Sequence, residues 1–403
     1  MKDPTQSPTY CKLSHVSLAI QNEGDICVCN KNTQSFEDGK QNKLYLHESG
    51  LKKMWASPTR KLLQAGLDNG RRLASCQACW NDEDAGVRSV RQRFNQELKD
   101  LESIKTQPRI LIIKPSNTCN MACRMCQPST STSLYQDFYQ RDIELKDFVG
   151  PFSEYTKQFE TIRLGLGKNN LSVWDTFEEW LPNLHFLDIY GGEPMLAPAM
   201  WSRMVACADN NLVSDVSIQF HTNGTIWNQS YVDTLSKFKH VQIAVSIDSH
   251  IPEQLSYIRH LVDVDKLYLN LKKYIELSKQ YSNISVNICF TLSIYNIWYA
   301  DEIYAGLSEF NLPISINPVY GPKQYDIRHL PIPVKNQIIK KLEKDKKPNL
   351  LKLVKILNHT IPGCDIYWTK FWKEAQILDC TRNQKFEQVF PEYYEAIKPF
   401  LPE

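Results

Sequence analysis

Arg109-Ile-Leu-Ile-Ile-Lys-Pro-Ser-Asn-Thr-Cys119-Asn-Met-Ala-Cys123-Arg-Met-Cys126 joins an aliphatic run to three closely spaced cysteines. Arg109 to Lys114 reads as a short buried strand, and Pro115 to Thr118 as the loop that leaves it. The thiols therefore fall just past the C-terminal end of a first strand. Three thiolates spaced in this way can close on one iron–sulfur cluster, which is usually held by four cysteines. A set of three leaves one iron for a ligand from outside the protein.

Further along, Leu187-Asp-Ile-Tyr-Gly-Gly-Glu-Pro194 is again a strand running into a turn. Gly191 and Gly192 let backbone approach a ligand closely. Glu193 can pair with a cationic amino group through a charge-assisted hydrogen bond. From Arg109 onward, extended segments at 109–114, 185–190, 216–221, 241–247, 284–292 and 314–319 alternate with helical ones around 129–140, 196–210, 230–237, 265–281 and 297–309. Such alternation predicts parallel strands joined by right-handed crossovers.

The cysteine run after a first strand and Gly-Gly-Glu-Pro after a second resemble the signature of the radical S-adenosylmethionine (SAM) superfamily. The resemblance implies an α/β fold with a partial (β/α)6 TIM-like barrel. It implies a [4Fe-4S] cluster on Cys119, Cys123 and Cys126, with the amine and carboxylate of SAM on the fourth iron. Gly191, Gly192 and Glu193 would face the SAM methionyl group. In this family, polar residues after the third and fourth strands surround SAM, which makes Thr222 and Asn223 of His221-Thr-Asn-Gly224, and Ser246 and Asp248 of Ser246-Ile-Asp248, candidates. The bland reading of the same residues is a Thr-Asn-Gly turn with Gly224 at positive φ, and helix caps at Ser246 and Asp248. Met125 stands where the family often has an aromatic residue, and its thioether can pack on an adenine ring. Asn317-Pro318 could line the same mouth or simply end the sixth strand.

Ahead of the barrel lie Cys11, Gly24-Asp-Ile-Cys27-Val-Cys29 and Cys76-Gln-Ala-Cys79. A C-x2-C pair with two distant upstream cysteines suits a four-thiolate metal site. The segment also resembles the SPASM and twitch modules of radical SAM enzymes, which hold an auxiliary [4Fe-4S] cluster and usually follow the barrel. That pattern selects Cys11, Cys29, Cys76 and Cys79, with Cys27 as substitute. The same four thiolates would bind zinc as readily. The expected organisation is a cysteine-rich α+β module at 1–81, a helical linker at 82–107, the barrel at 108–325 and a helical extension at 326–403. The linker, rich in Arg, Glu and Gln, reads as a solvated helix without chemistry.

With 403 residues, 42% of them hydrophobic, the chain can bury a large core. A net charge of +2 and the lack of a basic, aromatic-interleaved tract argue against nucleic acid as partner. No apolar run reaches membrane-spanning length and Met1 to Pro8 is no signal peptide, so a cytoplasmic protein without a membrane partner is expected. Cys207 and Cys289 read as small buried hydrophobes, while Cys364 and Cys380 lack metal-site spacing. Lys335 to Lys355 reads as two amphipathic helices. Phe371, Ala375 and Leu378 form a stripe that packs a C-terminal helix onto the body.

The function implied is reductive cleavage of SAM to a 5′-deoxyadenosyl radical, which abstracts hydrogen from a substrate. A flavodoxin- or ferredoxin-type protein would supply the electron. The auxiliary module points to a peptide or protein substrate, with a carbohydrate or other small molecule as the alternative. A thiolate-metal scaffold without catalysis, or a family member that binds SAM without cleaving it, are readings from other classes. Gly-Gly-Glu-Pro has no purpose in the scaffold.

Overall fold

The structure is a computed structural model that describes residues 3–21, 24–84, 86–139, 171–359 and 361–402. Eight strands share one sheet: β1 (Ser17–Ile20), β2 (Ile26–Cys27), β3 (Ile110–Ile113), β4 (Phe186–Ile189), β5 (Ser217–Thr222), β6 (His240–Ser246), β7 (Ile284–Leu292) and β8 (Ile314–Pro318), in the order β2-β1-β3-β4-β5-β6-β7-β8. From β3 to β8 neighbours follow chain order with helices between them, which is the connectivity of the expected (β/α)6 partial barrel. All six expected strands form. The helices Thr132–Tyr139, Pro198–Asp209, Gln229–Leu235, Val264–Gln280 and Ala300–Ser308 fall where helices were expected. Gln140, the last residue of the first expected helix, lies outside the described residues.

Two compact units divide the chain. The first holds the N-terminal residues to Asn117, with 171–221 and 228–242. Here β3 is buried along its whole length and pairs in parallel with β1 (Leu18 opposite Leu111) and β4 (Leu111 opposite Leu187). Continuous burial of an aliphatic strand is what a parallel sheet covered on both faces requires. The N-terminal cysteine-rich segment is thus built into the sheet through β1 and its antiparallel partner β2, rather than standing apart from it.

The linker is not one helix. Helix Gln77–Asp84 stops before Gly86, at φ +69°, and a new helix, Val90–Glu97, begins at Ser89. Ser89 and Gln92 satisfy each other's backbone N–H in a capping box, so the local sequence marks a break that a charge pattern overlooks.

The second unit holds 118–139, 222–227 and 243–402 among the described residues. Helix Val264–Gln280 starts on an Asp263 cap and buries Leu267, Leu271, Tyr274 and Leu277 on one face. The two expected lysine-rich helices are Ile332–Asp345 and Pro348–Asn358, with Ile338, Leu342, Leu350, Leu353 and Leu357 inward. Helix Cys364–Arg382 buries Phe371, Ala375 and Leu378, and Leu378 packs with Ala122, Leu134 and Phe138 beside the cysteine loop. Among the described residues no helix is long and apolar enough to cross a membrane.

Candidate functional site

Residues 119–126 form a loop whose backbone is tied down on several sides. At one end Thr132 accepts from the Cys119 N–H and donates to its carbonyl, both at 3.0 Å, so the start of the following helix fixes the first cysteine. In the middle, the Ala122 N–H donates to the His260 carbonyl (2.9 Å) and the Arg124 N–H to that of Ile258 (2.8 Å). These two bonds set Cys123 opposite Arg259. The Cys126 N–H returns to the Cys123 carbonyl, which curls the loop. Cys123 is buried, Cys119 half-buried and Cys126 exposed.

The thiols interact. A hydrogen bond between Cys123 and Cys126 holds Cys123 below the ordinary thiol range and pushes Cys126 well above it. The positive charge of Arg259 favours the thiolate form of both. Its Nε donates to Asp248 Oδ2 at 2.7 Å. Asp248 is fully buried, and its other oxygen accepts the Thr291 N–H at 2.8 Å. The carboxylate therefore ties Arg259 to the end of β7.

Thr222 and Asn223 follow the turn reading. Thr222 Oγ1 accepts the Gly224 N–H at 3.0 Å, and Asn223 Oδ1 accepts both the N–H and the hydroxyl of Thr225. Asn223 also donates to Asn120 Oδ1 (2.9 Å), while Asn120 donates to Thr225 Oγ1 (2.8 Å). The turn after β5 thereby grips the cysteine loop through Asn120. Ser246 is half-buried at the end of β6, and Met125 is buried within the loop.

Gly224 makes the turn possible. It sits at φ +75°, where a Cβ would fall 2.4 Å from Leu267 Cδ1 and 2.9 Å from Val245 Cγ1. Gly224→Ala is expected to cost about 3 kcal/mol, from left-handed strain together with overpacking. Urea denaturation reads this loss, and a change below about 1 kcal/mol would show that the turn is not pinned there.

In the first unit, Gly191 at φ +87° and Gly192 at φ +56° carry the chain past Lys114, whose Cγ would lie 2.8 Å from a Cβ on Gly191. Glu193 is 1% exposed and its Oε1 accepts the Met195 N–H at 3.1 Å, so the carboxylate stiffens the turn that carries it. Lys114 bonds Gln21 Oε1 (3.1 Å) and lies over the Tyr190 ring, and burial pulls its ammonium down to about 8.

Cys11, Cys29, Cys76 and Cys79 line one apolar cavity in the same unit, with Leu13, Leu67 and Arg91. Cys27 is directed elsewhere. It donates to the Cys29 carbonyl (2.9 Å) and accepts from Gln21 Nε2 (2.8 Å). Burial pushes Cys11 up to about 12, Cys29 well above its ordinary value, and Cys76 and Cys79 upward. Thiols so placed ionise only where a bound cation compensates them. Arg91 lies in the linker whose charge pattern reads as solvated, yet it is buried. It donates twice to Glu83, at 3.0 and 2.7 Å, and once to the Tyr10 carbonyl at 2.7 Å, next to Cys11. Among the described residues no group of three or more His, Cys, Asp or Glu side chains is arranged to hold a metal ion. The donor chemistry nonetheless fits thiolate-held metal in both places, three thiols on one loop and four around one cavity.

No family model and no curated protein matches the chain. Among solved structures, it is similar to anSMEcpe with bound AdoMet, at 20% identity and TM-score 0.35, covering 61% of this chain and 62% of that one. Streptococcus suis SuiB bound to S-adenosylmethionine is similar at 15% identity and TM-score 0.34, over 82% of this chain and 69% of that one. TYW1 with a lysine–pyruvate adduct is similar at 14% identity and TM-score 0.28, over 56% and 68%. The chain thus spans about 62% of the length of anSMEcpe.

Proposed function

We propose that this chain is a radical SAM enzyme, with Cys119, Cys123 and Cys126 holding a [4Fe-4S] cluster and Gly191, Gly192 and Glu193 receiving SAM. The observation that carries the reading is the loop of three closely spaced thiols whose backbone is fixed at Cys119 by Thr132 and around Cys123 by the 258–260 segment. When bound, such a cluster supplies one low-potential electron that cleaves SAM to methionine and a 5′-deoxyadenosyl radical. The chain's own part is positioning. Thr132, Asn120 and the 258–260 backbone hold the thiols in place, Gly191 and Gly192 turn the chain past Lys114 through positive φ, and Glu193 on that turn supplies a carboxylate for the SAM amine.

The proposal extends to Cys11, Cys29, Cys76 and Cys79 as ligands of an auxiliary [4Fe-4S] cluster, to a flavodoxin- or ferredoxin-type donor, and to a peptide or protein substrate. The common apolar cavity supports the ligand set, and the resemblance of this segment to SPASM and twitch modules supports the substrate class. Because Cys27 turns to Gln21 instead of the cavity, Cys29→Ser is expected to lose the N-terminal metal while Cys27→Ser keeps it. Metal analysis of the two reconstituted variants checks this, and the reverse order would reassign the ligand.

The deciding experiment is anaerobic reconstitution with iron and sulfide, then dithionite and SAM, with chromatography for 5′-deoxyadenosine. About eight irons per chain and reductant-dependent 5′-deoxyadenosine are expected for two cubanes, one of them open. Tight zinc, little iron and intact SAM would overturn the proposal.

A further inference from the structure

Arg259 is a buried cation with a fixed direction. Its residue is 8% exposed and its Nε is held at 2.7 Å by Asp248, which is fully buried and tied in turn to the Thr291 N–H. The Asp248 carbonyl accepts from Asn296 Nδ2, so the anion's own backbone is anchored as well. On its other side, the backbone bonds Ala122 to His260 and Arg124 to Ile258 bracket the pair Cys123 and Arg259. A cation could reach neutrality against Asp248 anywhere in the interior. This one belongs to the residue that the backbone sets opposite Cys123, a thiol that the proposed function assigns to a cluster.

We propose that Arg259 sets the reduction potential of the cluster held by Cys119, Cys123 and Cys126, raising it by stabilising the added electron. The inference rests on the reading of that loop as a cluster site. A cluster gains one negative charge on reduction, and charge near it is one of the levers by which a protein tunes its potential. Burial makes the lever strong, since a desolvated charge is little screened. Asp248 carries the opposite charge and is held by the Arg259 Nε and the Thr291 N–H, while the backbone pairing sets Arg259 itself opposite Cys123. Arg259 touches neither substrate nor SAM in this account; it is a positioning residue that acts through the field at the cluster.

The full-length chain, Arg259→Lys, Arg259→Gln and the double variant Arg259→Gln/Asp248→Asn are reconstituted anaerobically, and iron and sulfide are counted. Each is then titrated against low-potential mediators, following the electron paramagnetic resonance signal that changes when SAM is added, which separates the loop cluster from an N-terminal one. In Arg259→Gln the reduced-to-oxidised ratio at a fixed potential is expected to fall at least tenfold, equivalent to about 59 mV for a one-electron couple. Arg259→Lys should stay within about threefold of the parent, because the charge is kept. If the uncompensated Asp248 prevents Arg259→Gln from folding, the double variant is read in its place, and a fall of the same sign is expected.

Equal iron loading with an unchanged ratio in the neutral variant would overturn the inference, and so would an equal fall in Arg259→Lys, since that would make the role one of shape. A parent chain that takes up no iron would instead overturn the reading of the loop on which the inference stands.

Discussion

Alanine at Cys119, Cys123 and Cys126 together is expected to abolish formation of 5′-deoxyadenosine and to remove about four of about eight irons per chain, leaving the N-terminal site loaded. The expectation depends on the loop surviving without its thiols, and the structure supplies the reason that it should. Its backbone is held by Thr132, His260 and Ile258, and its side chains Asn120 and Arg124 by partners elsewhere in the same unit. None of these contacts involves sulfur. An unchanged urea midpoint with lost iron would identify the thiols as ligands instead of packing groups. Undiminished SAM cleavage in the triple variant would sink the assignment, because no other cysteine set follows β3.

Much of this arrangement can be read from residues close together in the chain. The six strands from β3 to β8 announce themselves as aliphatic runs bounded by turn residues, and the cysteines by their spacing. What escaped is what depends on distant partners. Ser17–Ile20 is only four residues long, and its place in the sheet is decided by pairing with β3, far along the chain. For Asp248 the hidden feature is its partner Arg259, which lies eleven residues on with a helix of its own between them. Arg91 was hidden in a polar segment whose charge suggested solvent, until Glu83 and the Tyr10 carbonyl drew it inward. Cys27 and Cys29 were separable only by which sulfur meets Gln21. Side-chain type was legible throughout, and side-chain direction was not.

The helical extension at the C-terminus offers the second large effect. Asp379→Ala is expected to cost about 3–5 kcal/mol, the usual penalty for stranding one member of a buried ion pair. Arg124 follows Cys123 directly, its side chain is wholly buried, and it donates to Asp379 Oδ1 at 2.6 Å and to Gln384 at 2.9 Å while lying over the Tyr257 ring. Asp379 also accepts the Tyr257 hydroxyl and the Phe386 N–H, each at 2.7 Å, so alanine would orphan three donors at once. Burial keeps the Asp379 carboxyl above its ordinary range even with Arg124 beside it. The intact pair therefore need not add much net stability, yet losing one half strips a buried guanidinium of its ion-pair partner. Asp379→Asn should cost less, about 1–2 kcal/mol, because its amide oxygen can still accept. Urea denaturation orders the two variants. Since Arg124 lies between two of the proposed ligands, iron retention should fall in that order too, whereas a loss below about 1 kcal/mol in both would show that helix Cys364–Arg382 merely leans on the cysteine loop without holding it.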